Sequence, residues 1–360
     1  MKRLGILTGG GDAPGLNAVI RAAVKTAYNE YRCEVIGVED GYDGLMIDGR
    51  ARVLSQADIR GILPRGGTIL GPANRGNPFA RKTVKDGQEV IEDVSHLVVE
   101  GVDHLGLDGL IVVGGDGTLR IAHELFSKFN LPIVGVPKTI DNDLGGTDVT
   151  FGFDTALHVA TEAFDRLHTT AESHHRVMVL ELMGRDAGFI PLHAGVAGGA
   201  DVILIPEIPF DIEVVCKKIK QRSAFGSKFS LVAVSEGARP QGGEQVFSRA
   251  GDAVYVPRLG GMGYKVGVMI EKCTGIETRV TVLGHLQRGG GPSPFDRWLA
   301  TRFGAGAVRL AAAGGWGRMV GLRGQRIEDV PIAEAVAVPK RVDPNGEPVR
   351  TARGLGIVFG

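Results

Sequence analysis

The sequence predicts an α/β protein made of two Rossmann-like three-layer α/β/α domains with mainly parallel sheets. Three observations predict it. Short β-branched runs alternate with stretches of helical period along the whole chain, and most of those runs end in glycine or proline. The chain is 360 residues long, enough for two ordinary cores.

Arg3 to Thr8 reads as a buried strand, and Gly9-Gly10-Gly11-Asp12-Ala13-Pro14-Gly15 turns from it into an amphipathic helix spanning Leu16 to Tyr31. A second strand, Glu34 to Val38, closes a βαβ unit, which normally sets its strands parallel. Further strands are predicted at Leu110 to Val113, Pro132 to Val136, Val177 to Leu182, Val202 to Ile205 and Leu231 to Val234. Helices are predicted between them at Leu119 to Phe129, Asp154 to Thr170, Ile212 to Arg222 and Gly263 to Lys272. Glu277 to Leu283 alternates polar and apolar, and a long helix from Phe295 to Ala313 stops at Gly314-Gly315. The expected division is 1–152 plus about 286–335 for one domain and 153–285 plus about 336–360 for the other.

Composition excludes several classes of function. With 43% hydrophobic and 23% charged residues, disorder and membrane residence are both disfavoured, and the longest apolar runs are too short for a bilayer. It carries 41 basic and 41 acidic residues, which disfavours a nucleic-acid or polybasic membrane partner, so any anionic ligand must be met by local clusters. The N-terminus runs straight into a strand without a leader-like segment, and the expected location is cytoplasmic. Cys33, Cys216 and Cys273 are scattered and odd in number, so no disulfide framework or thiolate metal site is expected. The 55 glycines are not periodic, which suits tight turns and close backbone approaches to a ligand.

Two glycine- and aspartate-rich segments carry the chemistry. Val113-Gly114-Gly115-Asp116-Gly117-Thr118 and Pro137-Lys138-Thr139-Ile140-Asp141-Asn142-Asp143 each follow a predicted strand, which places them at the C-terminal edge of a parallel sheet, where open α/β folds bind ligands. In the first, glycines admit a polyphosphate, Asp116 can hold Mg²⁺ on its oxygens, and Thr118 is expected to cap the next helix. The second sets Asp141 and Asp143 beside a hydroxyl and an ammonium, an assortment suited to deprotonating an alcohol next to bound phosphate. Together they suggest a kinase. The opening loop around Gly10 and Gly11 is a further phosphate cradle, but it matches neither the dinucleotide nor the P-loop spacing.

Thr8 to Asn17, Gly114 to Thr118, Pro137 to Asp143, Ser173-His174-His175-Arg176, Met183-Gly184-Arg185, Ser235-Glu236-Gly237 and Arg279 to Gly290 together resemble the phosphofructokinase family almost end to end. The Gly114 to Thr118 loop alone is shared with NAD kinases and lipid kinases. The resemblance implies transfer of a phosphoryl group from ATP, with Mg²⁺, to O1 of fructose 6-phosphate. It implies Asp141 as general base, Asp143 orienting the metal or its water, Thr139 donating to the phosphoryl and Arg75 offsetting charge there. ATP would meet Gly10, Tyr42 (stacked on adenine), Arg75, Gly76, Gly115, Asp116, Gly117 and Thr118, with Asp116 as the metal residue. The sugar phosphate would meet Thr139, Ile140, Asp141, Arg176, Met183, Gly184, Arg185, Glu236, Arg279, His285, Leu286, Gln287 and Arg288. The His174-His175 pair has no zinc-like spacing and reads as structural or substrate-facing.

The resemblance also implies a homodimer or homotetramer in which Arg176 and Arg279 complete a neighbour's site. Gly117 and Lys138 bear on the donor. Pyrophosphate users of the family typically carry Asp and Lys at these positions and the best-known ATP users Gly and Gly, so the pairing here is mixed and ATP is the favoured reading. Arg21, Lys25, Arg52 and Lys228 match an effector site of regulated members, but His168 replaces an arginine, so strong effector control is not expected.

Overall fold

The computed structural model describes residues 1–72, 76–85, 88–249 and 258–360. In chain order the elements are β1 (Arg3–Thr8), α1 (Leu16–Tyr31), β2 (Glu34–Val38), α2 (Asp43–Met46), β3 (Ala51–Val53), β4 (Arg81–Lys85), β5 (Gln88–Glu92), α3 (Ser95–His104), β6 (Gly109–Gly114), α4 (Asp116–Phe129) and β7 (Ile133–Pro137). There follow α5 (Phe153–His174), β8 (Val177–Leu182), α6 (Phe189–Ala197), β9 (Val202–Leu204), α7 (Ile212–Ala224), β10 (Ser230–Ser235), β11 (Phe247–Arg249), β12 (Arg258–Leu259), α8 (Met262–Thr274) and β13 (Thr278–Val282). The chain closes with α9 (Pro294–Ala312), β14 (Arg318–Arg323), β15 (Arg326–Pro331), α10 (Ile332–Ala337) and α11 (Glu347–Gly354). Two compact units result, one of Met1–Ile140, Leu144–Asp154 and Arg288–Pro339, the other of Asp141–Asp143, Thr155–Gln287 and Lys340–Gly360.

The first unit holds a seven-stranded sheet in the order β15-β14-β7-β6-β1-β2-β3. Its five central strands run parallel, and an antiparallel strand closes each edge. Side-chain alternation sends Ile111 and Val113 of β6 to one face and Leu110 and Val112 to the other. The first face packs on α1 and α9, the second on α3 and α4, which gives the expected three layers. The alanine-rich α1 stops where Arg32 turns left-handed at φ 51°. Ser293 caps α9 by accepting from Asp296 N at 3.2 Å, with Pro294 in its first turn, where the missing N–H is not needed.

The second unit holds a four-stranded, all-parallel sheet in the order β13-β8-β10-β9. Its strand ends are flush: Leu182 pairs with Ser235, and Val282 with Glu181. Valines and leucines of these strands pack against α7 and α8. Glu181, 2% exposed, accepts from Gly261 N at 3.2 Å and Gly263 N at 2.6 Å, supplying the N-terminus of α8 with the cap that Gly261 cannot.

Two expectations are corrected here. Cys216 of α7 and Cys273 of α8 form a disulfide, with Cα atoms 6.3 Å apart, and Cys33 is buried and free. Their separation of 57 residues carries no spacing signal; the packing of two helices brings them together. Thr118 is not a helix cap either, because α4 already starts at Asp116 with Gly115 before it. Among the described residues no helix is long and apolar enough to cross a membrane.

Candidate active site

In the first unit, adjacent strands β1 and β6 both end in glycine loops, and one threonine underlies both. Thr118 is 8% exposed, and a Cβ on Gly9 or Gly114 would come within 2.5 to 2.6 Å of its Cγ2. Any larger residue at either glycine would displace the loop. Gly10 adopts φ 73°, a region that suits glycine. Two cations hold the opening loop by its carbonyls: Lys138 Nζ donates to Gly11 O, and Arg288 Nη1 donates to Asp12 O at 3.1 Å. Lys138 is only 3% exposed. Asn17, 1% exposed, accepts from Ile69 N at 2.9 Å and donates to Arg65 O and Gly66 O, both at 3.2 Å, fixing the chain that leads toward Gly71.

Asp116 begins α4, where the helix N-terminus favours an anion. Its Oδ2 accepts from Arg120 Nε at 2.8 Å, one helical turn on, and the carboxylate stays about one-third exposed. Arg120 was not anticipated from the sequence. A Cβ at Gly117 would meet nothing within 4 Å, so this side of the loop is open. Thr139 is nearly buried, its carbonyl accepting from Thr150 Oγ1 at 2.7 Å, and Ile140 is fully buried, with neither side chain nor backbone exposed. Gly76 is half-buried, while Arg75 lies outside the described residues.

Tyr42 departs from its expected role. It is 3% exposed, belongs to the core beneath β6, and donates its hydroxyl to Thr118 O at 3.1 Å. Burial pushes its phenol well above the usual range. The ring supports the phosphate loop from below and has no face left for adenine.

In the second unit, the flush strand ends bring three of the segments expected to meet the sugar to one edge: Met183-Gly184-Arg185 after β8, Glu236-Gly237 after β10, and Leu283 to Gln287 after β13. Ser235 ties two of them together, donating from Oγ to Gly184 O, and Gln245 Nε2 donates to Gly237 O at 2.9 Å and Arg185 O at 3.4 Å. Arg185 pairs with Asp186 at 3.5 Å. Met183, Arg185 and Glu236 are half-buried, His285 and Leu286 exposed.

Gln287, expected to touch substrate, is fully buried; its Nε2 donates to Gly284 O at 3.1 Å and closes the 3-10 turn Gly284–Arg288. Its work is to present His285 and Leu286. Arg176 and Arg279 share one counter-ion, Glu277, with Arg176 Nε at 2.6 Å. The guanidinium of Arg176, then that of Arg279, holds the Glu277 carboxyl below its usual value. Arg279 is exposed on β13, the edge strand. Arg288 falls in the first unit, and Arg176, Arg185 and Arg279 in the second.

The turn Asp141–Asp143 belongs with the second unit. Asn142 is 5% exposed with φ 56°, and Lys340 N donates to Asp143 O at 2.7 Å. Among the described residues no group of three or more His, Cys, Asp or Glu is arranged for a metal ion. Of the effector-like positions, Arg21 and Lys25 line a cavity of about 290 Å³ with Arg60, Arg52 is held by Glu39 and Asp58, and His168 packs edge-on against Phe229 at 4.9 Å.

Glycine loops under a helix N-terminus in one unit, and in the other a strand edge that carries Arg185, Glu236 and His285 and a two-carboxylate turn, are features of an α/β phosphotransferase. The model of the phosphofructokinase family matches residues 3–311, and the chain belongs to that family. It is 57% identical, over all of this chain and 98% of the relative, to an ATP-dependent 6-phosphofructokinase of Chloroflexus aggregans. It is 52% identical, over 99% of this chain and all of the relative, to a pyrophosphate–fructose 6-phosphate 1-phosphotransferase of Streptomyces coelicolor. Among solved structures, phosphofructokinase from Saccharomyces cerevisiae superposes with a TM-score of 0.78 at 31% identity, covering 94% of this chain and 45% of the yeast chain.

Proposed function

We propose that the protein is an ATP-dependent 6-phosphofructokinase, converting fructose 6-phosphate and ATP to fructose 1,6-bisphosphate and ADP in glycolysis, in the cytoplasm. The observation that carries the reading is the open space at Gly117: the phosphate loop that starts α4 leaves room for the α-phosphate of a nucleotide. The full-length likeness to relatives named for ATP supports it.

Asp116 suits Mg²⁺, which keeps several waters and takes only one or two carboxylates beside substrate phosphates. When bound, the ion would supply charge neutralisation at the transferring phosphoryl. Asp141 accepts the proton of the O1 hydroxyl as the new O–P bond forms and the bond to the ADP oxygen breaks. Thr139 and Arg75 stabilise the phosphoryl, and Lys138 fixes the loop that holds the donor. Arg185, Glu236 and His285 orient the sugar, and Arg288 adds positive charge for its phosphate. Arg176 and Arg279, held ready on Glu277, complete the site of a second copy in a homodimer or homotetramer, a reading supported by the place of Arg279 on the edge strand β13.

Pyrophosphate as donor is the second reading, favoured by Lys138 and by the relative from Streptomyces coelicolor. Initial rates with fructose 6-phosphate and either ATP or pyrophosphate, measured side by side, decide. A kcat/KM for ATP at least tenfold above that for pyrophosphate is expected; the reverse order would overturn the ATP assignment.

A further inference from the structure

We infer that Lys340 is a positioning residue for the proton-accepting turn, an inference that rests on the reading of Asp141 as base. Lys340 lies beyond the stretch matched by the family model, in a tail segment with no motif of its own. It holds the turn twice. Its backbone N–H donates to Asp143 O at 2.7 Å, and its ammonium donates to Asn142 Oδ1 at 3.3 Å. The ammonium in turn lies 5.3 Å from the centroid of the Phe189 ring, at the start of α6, where the ring's electron-rich face attracts a cation.

The physical need is specific. Asn142 stands between the two carboxylates with φ 56°, in the left-handed region that asparagine tolerates better than most residues but does not prefer. Relaxation of that one residue toward right-handed backbone would swing the flanking peptide planes and redirect Asp141 and Asp143 together. Asn142 is 5% exposed, so water competes little for the contact with Lys340. A base must come within hydrogen-bond reach of the hydroxyl it deprotonates, and a misplacement of about 1 Å can cost about 10²-fold in rate. Lys340 therefore acts on turnover through Asp141, with no contact to the sugar required.

The test is a kcat-against-KM comparison with ATP and fructose 6-phosphate. Lys340→Ala is expected to lower kcat about tenfold or more, within the range a mis-set base produces, with both KM values within about threefold of wild type. Lys340→Arg, which keeps charge and donors, should recover most of kcat. Asn142→Ala should lower kcat likewise, and the double variant should lose less than the two single losses combined, because both substitutions remove the contact between Lys340 and Asn142. If Lys340→Ala does not fold, as judged by thermal melting, Lys340→Met keeps the aliphatic stem and replaces it. Hydrogen exchange of the amides at 140–144 gives a readout independent of activity and should quicken in the variant. Unchanged kcat and unchanged exchange, an effect on KM alone, or additive losses would overturn the inference. A wild-type protein that phosphorylates no sugar phosphate would instead sink the reading of Asp141, leaving the exchange experiment as the test of the contact.

Discussion

Substituting Gly117 with aspartate isolates the choice of phosphoryl donor from everything else in the site. Gly117 is the second residue of α4, its φ is not in the left-handed range, and a Cβ there meets nothing within 4 Å. The fold therefore accepts the side chain, and a carboxylate at a helix N-terminus adds roughly 0.3–1 kcal/mol of stability if it changes stability at all. The cost falls on the ligand. A carboxylate about 4 Å from the α-phosphate of ATP, at an effective dielectric of about 20, is repelled by about 4 kcal/mol, or roughly 10³-fold in kcat/KM. Partial neutralisation by Mg²⁺ would bring this nearer 10². Pyrophosphate has no α-phosphate or nucleoside beyond the transferring pair, so its kcat/KM should fall less than about tenfold by the same Coulomb argument. The assay measures kcat/KM for both donors at saturating fructose 6-phosphate, with thermal melting to verify the fold. A folded variant whose ATP kcat/KM stays within threefold of wild type would refute the steric and electrostatic argument, as would an equal loss for both donors.

Two further outcomes follow from the second unit. Removing the Cys216–Cys273 bridge with Cys216→Ser frees a loop of 57 residues, for which loop-closure entropy gives about 4 kcal/mol of destabilisation. Melting of the wild type should drop by several degrees in reductant while the variant should be indifferent to it; titration of three free thiols in the native oxidised protein would contradict the bridge. His193 has its basicity lowered, first by burial and second by the nearby Lys340 charge. Because the unfolded chain binds that proton more readily, stability is greatest above the ordinary value of 6.5 and declines as pH falls through it. Denaturant midpoints between pH 8 and 5 should show this slope, and His193→Gln should flatten it; a variant with the wild-type slope would assign the dependence elsewhere.

Local signals were legible and tertiary ones were not. Strand, glycine loop and helix are coded within a dozen residues, so α1, β2 and β8 have the bounds that hydrophobic period and glycine placement predict. The edge strand β15 was missed because its largely exposed residues carry little apolar pattern, and the buried run Met319 to Leu322 of β14 is short and interrupted by Gly321. Tyr42 was misread for a different reason: sequence shows that an aromatic lies beside a turn, while only packing shows that its ring is covered. Gln287 sits inside a substrate motif yet serves the turn itself. Glu277, Gln245 and Lys340 were invisible because a lone charged or amide side chain has no periodicity, and each has a partner far along the chain: Arg176 at 101 residues, Arg185 at 60 and Asn142 at 198.

A chain of zero net charge that must bind several phosphates faces a choice between storing its cations in water and storing them on itself. It does the second. Lys138 and Arg288 rest on carbonyls of the opening loop, Arg120 on Asp116, Arg185 on Asp186, and Arg176 with Arg279 on Glu277. The arginine pairs are partly exposed, and exposed ion pairs are worth only about 0–1 kcal/mol, so a phosphate dianion can displace a single carboxylate at small cost. Long cationic side chains are meanwhile kept in few rotamers before the ligand arrives, which reduces the ordering entropy that binding must overcome. The two part-buried contacts to backbone behave differently: a carbonyl carries no net charge to repel an incoming phosphate, so Lys138 and Arg288 need not let go of the loop to meet an anion. The division predicts which cations are fixed parts of the site and which exchange partners when substrate binds.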